Sequence, residues 1–269
     1  MKVTALYVPG DRPDRFDKAA ASGADTVILD LEDAVAPARR AEAREQVAKW
    51  LAGGPVVDVQ VRIGSLDDLA ALPARVSIRL PKVESPSDVD AVGQRDVHAL
   101  IETARGVEHA YAIASHPRVA TIGLGEADLA ADLGIADESA LAWIRVRAVV
   151  AAGAAGLPAP MMSAYTDVAD LDGLAASCAV GRSLGMVGRT AIHPRQVPVI
   201  AAAFAPTDAE RAWAQEVLAA LDGADVGVAV LPSGTMVDAA MARRARGLLA
   251  RRYPPTSSSA EALSTADGA

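Results

Sequence analysis

Cysteine is nearly absent from this 269-residue chain, where Cys178 stands alone. No intrachain disulfide can form, and no cysteine cluster can hold zinc. Within GLAASCAVGRSLG, a helical context, the thiol reads as buried and structural. Aromatic residues make up only 3% of the chain, so the core must be aliphatic and alanine-rich. Lysine is scarce too: Lys2, Lys18, Lys49 and Lys82 stand against 22 arginines. The net charge of -8 excludes the broad basic surface that nucleic acid binding requires. A small anionic ligand remains open wherever arginines cluster. No uncharged apolar run is long enough to span a bilayer. The first apolar run, VTALYVPG, is too short for a signal segment and is closed by Pro-Gly. These absences predict a soluble, cytoplasmic protein with no membrane partner.

What the sequence does have is rhythm. It is 51% hydrophobic, and short apolar runs alternate with helical patterns. The runs cover 4–9, 26–32, 58–63, 76–82, 98–103, 121–128, 159–164 and 189–194. Apolar strands alternating with helices indicate a parallel sheet covered by helices. Eight such units predict an α/β fold, the (β/α)₈ TIM barrel. Two further helices, over 206–223 and 235–253, are predicted after the last strand. A single domain is therefore expected over 1–253. Residues 254–269, PPTSSSAEALSTADGA, lack a packing pattern and read as a disordered tail.

In a barrel of this kind the active site lies at the carboxyl ends of the strands. Those ends carry Pro9-Gly10, Glu32 and Asp33, Arg62, Lys82, Glu102, Glu126 and Asp128, Ser163, and His193. The stretch TVILDLEDAV places three acids directly after an apolar run, where burial without partners is costly. Glu102 and Asp128 end neighbouring strands in this reading and are candidate ligands of one hard divalent cation such as Mg²⁺. Their spacing alone leaves strand-end caps, or ion pairs with Arg62 and Lys82, equally open. Arg62 can offer a bidentate fork to a carboxylate or enolate; Lys82 adds a second cation, and a salt bridge is the plainer reading of either. His193, before Pro194, reads as a turn or site-lining residue and not as a metal ligand. Arg12, Arg15 and Lys18 follow the first strand and could meet phosphates or simply form a solvated helix face. No Walker loop or dinucleotide fingerprint is present.

Several blocks together resemble the citrate lyase beta-subunit-like CoA-ester lyases of the HpcH/HpaI aldolase superfamily. They are VPGDRPDRFDKAAASGADTVILDLEDAV, VRI, LPKVES, LIETARGV, GLGEADLAADLG, GMVGRTAIHPRQV and GTMVDAAM. The resemblance implies a (β/α)₈ barrel assembled as a homotrimer, with Mg²⁺ held by Glu102 and Asp128. It sets Arg62 near a thioester carbonyl and makes Glu32 and Asp33 supports of the metal site. By strand alternation Asp30 would face away from them and be structural. The resemblance also lets Asp238 reach a neighbouring subunit's active site as acid or base; a helix-start carboxylate is the simpler reading. Two positions depart from the family pattern. Ala127 replaces an acid beside Asp128, and Ala240 replaces a proline after Asp238.

The chemistry so implied is reversible C–C cleavage of a 3-hydroxyacyl thioester of CoA or a carrier protein, giving acetyl-CoA and a 2-oxo acid. A malyl-CoA-type thioesterase, a thioester-free hydroxy-keto acid aldolase and a non-enzymatic ligand-binding subunit are the alternatives.

Overall fold

A computed structural model describes residues 2–223 and 227–250. The tail predicted over 254–269 lies outside the described residues. The chain forms two compact units, one over Lys2–Phe204 and one from Ala205 onward.

The first unit is a parallel α/β structure. Its elements are β1 (Thr4–Pro9), α1 (Phe16–Ala20), β2 (Thr26–Asp30), α2 (Arg40–Ala52), β3 (Asp58–Arg62), β4 (Ser77–Leu80), α3 (Pro86–Asp90), β5 (Val97–Ile101), α4 (Ala104–Glu108), α5 (Ala110–Ala114), β6 (Val119–Leu124), α6 (Glu126–Leu133), α7 (Leu141–Ala154), α8 (Leu171–Ser183), β7 (Arg189–Ala191) and α9 (Gln196–Phe204). The strands form one sheet in the order β6-β5-β4-β3-β2-β1-β7, every pair parallel.

The register sorts side chains by chemistry. Val8, Leu29, Val61, Ile78 and Val97 share one face, and all are buried. The opposite face carries Tyr7, Asp30, Gln60, Arg62, Arg79, His98 and Thr121. Their polar groups are paired with one another, as burial demands: Arg79 donates to Gln60 Oε1 at 3.1 Å, and His98 Nδ1 lies 2.7 Å from Thr121 Oγ1.

The sheet is curled. Two strands separate β1 from β4, which in a flat sheet would set them about 14 Å apart. Yet Arg79 Nη1 on β4 donates to the Tyr7 hydroxyl on β1 at 3.1 Å. Beyond β7, the predicted strand 159–164 shrinks to one bridge, Met162 to Arg189. At the far edges of this row, Ser163 Oγ donates to Glu126 Oε2 at 3.0 Å.

The predicted strand 121–128 stops at Leu124. Gly125 turns the chain, and Glu126 opens α6. Asp128 thus sits in the first turn of a helix and not on a strand end.

The second unit contains α10 (Asp208–Asp222), the antiparallel pair β8 (Val228–Val230) and β9 (Met236–Asp238), and α11 (Ala239–Leu249). Ala214, Val217, Leu231, Val237, Ala245 and Leu248 form its core. Thr207 and Glu210 close a capping box on α10, satisfying donors that would otherwise be orphaned. The helix predicted from 235 begins only at Ala239, because 236–238 pair as a strand.

Candidate active site

Arg62 ends β3 beside Asp30, its register partner on β2. Its Nε donates to Asp30 Oδ1 at 2.7 Å and its Nη2 to Asp30 Oδ2. Its Nη1 donates to Asp33 Oδ2 at 3.0 Å. The guanidinium also lies 5.0 Å from the centre of the Tyr7 ring, within cation–π range. Burial works against this charge, but the hydrogen bonds and charge of Asp30 outweigh it and raise the Arg62 pKa. Asp30 is therefore the carboxylate that grips Arg62, with 1% of its surface exposed. It also accepts from the Glu32 backbone N–H at 2.9 Å. The expectation that it faces away from Glu32 and Asp33 is corrected, since Asp30 and Asp33 hold the same guanidinium. Paired parallel residues project to the same face, so Asp30 follows Arg62, and the loop after β2 brings Asp33 back to it.

Glu32 is buried, and burial, with Asp33 and Glu102 nearby, raises its pKa to about 7 against the opposing pull of Arg62. Its Oε2 lies 3.1 Å from Arg62 Nη1, an ion pair without a hydrogen bond. Its Oε1 lies 3.8 Å from Lys82 Nζ. Lys82 has a φ of 52°, the one positive φ outside glycine among the described residues. That conformation costs an L-residue about 1–2 kcal/mol, and such strain concentrates at functional sites. Here it aims the Lys82 N–H at Glu102 Oε1, 2.8 Å away.

Glu102 directly follows β5 and is 4% exposed. Burial raises its pKa; the Lys82 N–H opposes this, and the charge of the neighbouring Asp128 carboxylate raises it further. Gly125 makes this proximity possible, because a Cβ there would lie 2.3 Å from Glu102 Oε2. Among the described residues no group of three or more His, Cys, Asp or Glu side chains is arranged to hold a metal ion. The site offers a pair. Two neighbouring carboxylates, with a Glu32 oxygen near them that accepts no hydrogen bond, fit a hard divalent ion completed by water and substrate oxygens.

Glu126 and Arg145 form a second cluster that sequence reading missed. Arg145 Nε and Nη2 donate to Glu126 Oε1 and Oε2, each at 2.8 Å. Nη2 also reaches Glu138 Oε1 at 2.7 Å. The hydrogen bonds and charge of Glu126 overcome burial and raise the Arg145 pKa. Arg145, 2% exposed, lies within an apolar helical run, and that apolar setting was the available signal.

The other candidates have local contacts or are exposed. Arg12 is held by Asp14 through bonds of 3.0 and 2.9 Å, while Arg15 and Lys18 are exposed. His193 Nδ1 accepts from the Arg195 N–H at 3.2 Å, a contact within the turn leading to α9. Asp238 Oδ1 accepts from the Ala240 and Met241 N–H groups at 2.9 and 3.1 Å. It is the N-cap of α11, as the simpler sequence reading held.

The HpcH/HpaI aldolase/citrate lyase family model matches residues 3–194. A citrate lyase subunit beta-like protein of Mycobacterium tuberculosis is 35% identical, covering 94% of this chain and 96% of its own length. A (3S)-malyl-CoA thioesterase of Cereibacter sphaeroides is also 35% identical, over 92% of this chain and 93% of its own. An L-malyl-CoA/beta-methylmalyl-CoA lyase of the same organism is 32% identical, over 89% and 91%. The crystal structure of CitE from M. tuberculosis with magnesium, acetoacetate and coenzyme A matches with a TM-score of 0.81 and 34% identity, over 92% of this chain and 97% of that one. The curled parallel sheet, the carboxylate pair at its mouth and these matches agree: the chain belongs to the HpcH/HpaI aldolase/citrate lyase family.

Proposed function

We propose that this protein is a Mg²⁺-dependent lyase of 3-hydroxyacyl-CoA esters, forming acetyl-CoA and a 2-oxo acid from a malyl-CoA-like substrate. The observation that carries this reading is the buried Glu102 carboxylate packed against Gly125, which opens the helix that bears Asp128. Glu102 and Asp128 would hold the ion, which supplies positive charge for the oxygens of the keto acid. In cleavage the substrate hydroxyl loses its proton to a base, the C–C bond breaks, and the hydroxyl carbon becomes the carbonyl of the 2-oxo acid. The electron pair passes to the thioester fragment as an enolate. Arg62, held by Asp30 and Asp33, presents its remaining N–H groups to that oxygen, the kind of preorganised donor that lowers such barriers. Asp238 of the partner subunit is assigned the proton that returns to the enolate carbon. That role requires Asp238 to leave the cap of α11.

Glu32 and Asp33 support the metal site, Asp33 also orienting Arg62, and Lys82 and His193 line the mouth. Arg12, Arg15 and Lys18 are assigned to the CoA phosphates. The closed (β/α)₈ barrel is supported by the Ser163–Glu126 bond between the sheet's far edges. A cytoplasmic homotrimer, its C-terminal unit serving the neighbouring barrel, completes the reading.

A second outcome is favoured by the thioesterase relative: water attacks the thioester and free CoA leaves. Product identification separates the two. Malyl-CoA and citramalyl-CoA are incubated with the protein and Mg²⁺, and products are weighed by mass spectrometry. Acetyl-CoA with glyoxylate or pyruvate supports the lyase. Free CoA with intact hydroxy acid replaces it with the thioesterase.

A further inference from the structure

The Glu102–Asp128 pair poses a mechanical problem. Two neighbouring carboxylates repel one another when ionised, and one of them rides on α6, a helix of eight residues. Before a cation arrives, something must keep α6 from swinging outward.

Three contacts oppose that motion. Gly125 packs against Glu102 at the start of α6. Glu126, the first residue of α6, is held by Arg145 and Ser163. The third contact lies one turn beyond Asp128. Asp132 Oδ2 accepts the Ala104 N–H at 2.9 Å. Ala104 opens α4, two residues after Glu102. Asp128 and Asp132 are four apart on one helix and share a face. The bond therefore ties the backbone beside one carboxylate to the helix bearing the other.

We propose that Asp132 is a positioning residue: its bond to the Ala104 N–H sets the separation of the Glu102 and Asp128 carboxylates and so tunes the affinity for the divalent ion. This rests on reading Glu102 and Asp128 as the metal ligands. A plain capping role is the competing account. Thr103 already caps α4 by accepting the Gly106 N–H, and Asp132 adds a second acceptor from another helix. A cap alone affects stability. A tether also affects metal affinity.

The test is Mn²⁺ binding to the full-length protein in place of Mg²⁺, read from the free-ion electron paramagnetic resonance signal. Asp132→Ala is expected to raise the Mn²⁺ Kd by about 10–100-fold, the range typical of supporting residues around metal ligands. Asp132→Asn keeps a carbonyl oxygen for the Ala104 N–H and is expected to stay within about threefold of the parent, well below that range. Asp132→Glu keeps the charge but lengthens the tether, so it too weakens binding. It also serves if the alanine variant melts early. Parent-like affinity in Asp132→Ala and Asp132→Glu overturns the tether while leaving the metal site standing. Asparagine as weak as alanine overturns it as well, since charge would then be the cause. If the parent takes up no Mn²⁺, or Glu102→Gln binds as tightly as the parent, the metal reading falls and the tether with it.

Discussion

Replacing Arg145 by methionine removes both hydrogen bonds to Glu126 and one to Glu138. Glu126, 7% exposed in the parent, is left with the Ser163 hydroxyl as its one remaining donor among the described residues. Breaking one side of a buried ion pair costs about 3–5 kcal/mol, because the remaining charge is uncompensated. The surviving Ser163 bond offsets about 1 kcal/mol, and Glu138, with its side chain 59% exposed, contributes little. The expected loss is therefore about 3 kcal/mol, a large share of the roughly 5–15 kcal/mol that stabilises a typical domain. Equilibrium urea unfolding measures it, as a lowered midpoint at unchanged slope. Adding Glu126→Gln to Arg145→Met removes the stranded charge and should recover about half of the loss or more. A single-variant loss below about 1 kcal/mol, or no recovery in the double variant, would refute the account of Arg145 as the partner of a buried charge.

Other outcomes follow from the same reasoning. Burial, aided by the Arg79 charge, lowers the His98 pKa to about 3, with Asp58 opposing and Lys2 adding to the shift. In the unfolded chain an ordinary histidine titrates near about 6.5. The unfolded state thus takes up the proton first as pH falls, and stability declines from about pH 6.5 toward pH 3. At pH 5 this amounts to about 2 kcal/mol, visible as a lower urea midpoint that His98→Asn should largely remove. Gly125→Ala forces Glu102 from its place and should weaken Mn²⁺ binding at least about tenfold, measured by the same resonance titration. Lys82→Gly relieves a left-handed backbone and should leave stability unchanged or raise it by about 1 kcal/mol. A thermal melt checks this, and a rise in KM would mark the lost ammonium.

The sheet was legible because outward-facing aliphatics are near-continuous in sequence, and seven of the eight predicted runs hold a strand. The run at 159–164 is the exception, since only Met162 pairs. The ends of runs were less legible. A turn at Gly125 converts an apparent strand end into a helix start, and nothing in the apolar pattern before it marks the change. Asp30 was misread because alternation along one strand was applied across a loop, whereas pairing between strands decides which side chains meet. The apolar setting of Arg145 was a signal, but its pairing was not legible, because the partner lies 19 residues away across a helix packing that periodicity does not encode. The hairpin at 228–238 was missed because its strands are three residues each, too short to carry a pattern.

The central claim is that Arg62 stabilises a thioester enolate while a divalent ion held by Glu102 and Asp128 binds the keto acid. The condensation direction tests it most directly: acetyl-CoA, glyoxylate and Mg²⁺ are incubated with the parent, Glu102→Ala and Arg62→Lys, and the CoA esters are identified by mass. The account predicts a new hydroxyacyl-CoA from the parent alone, absent with EDTA and in Glu102→Ala. In Arg62→Lys, whose fork is gone, it should form about 100–1,000-fold more slowly. Equal formation by parent and Glu102→Ala would contradict it.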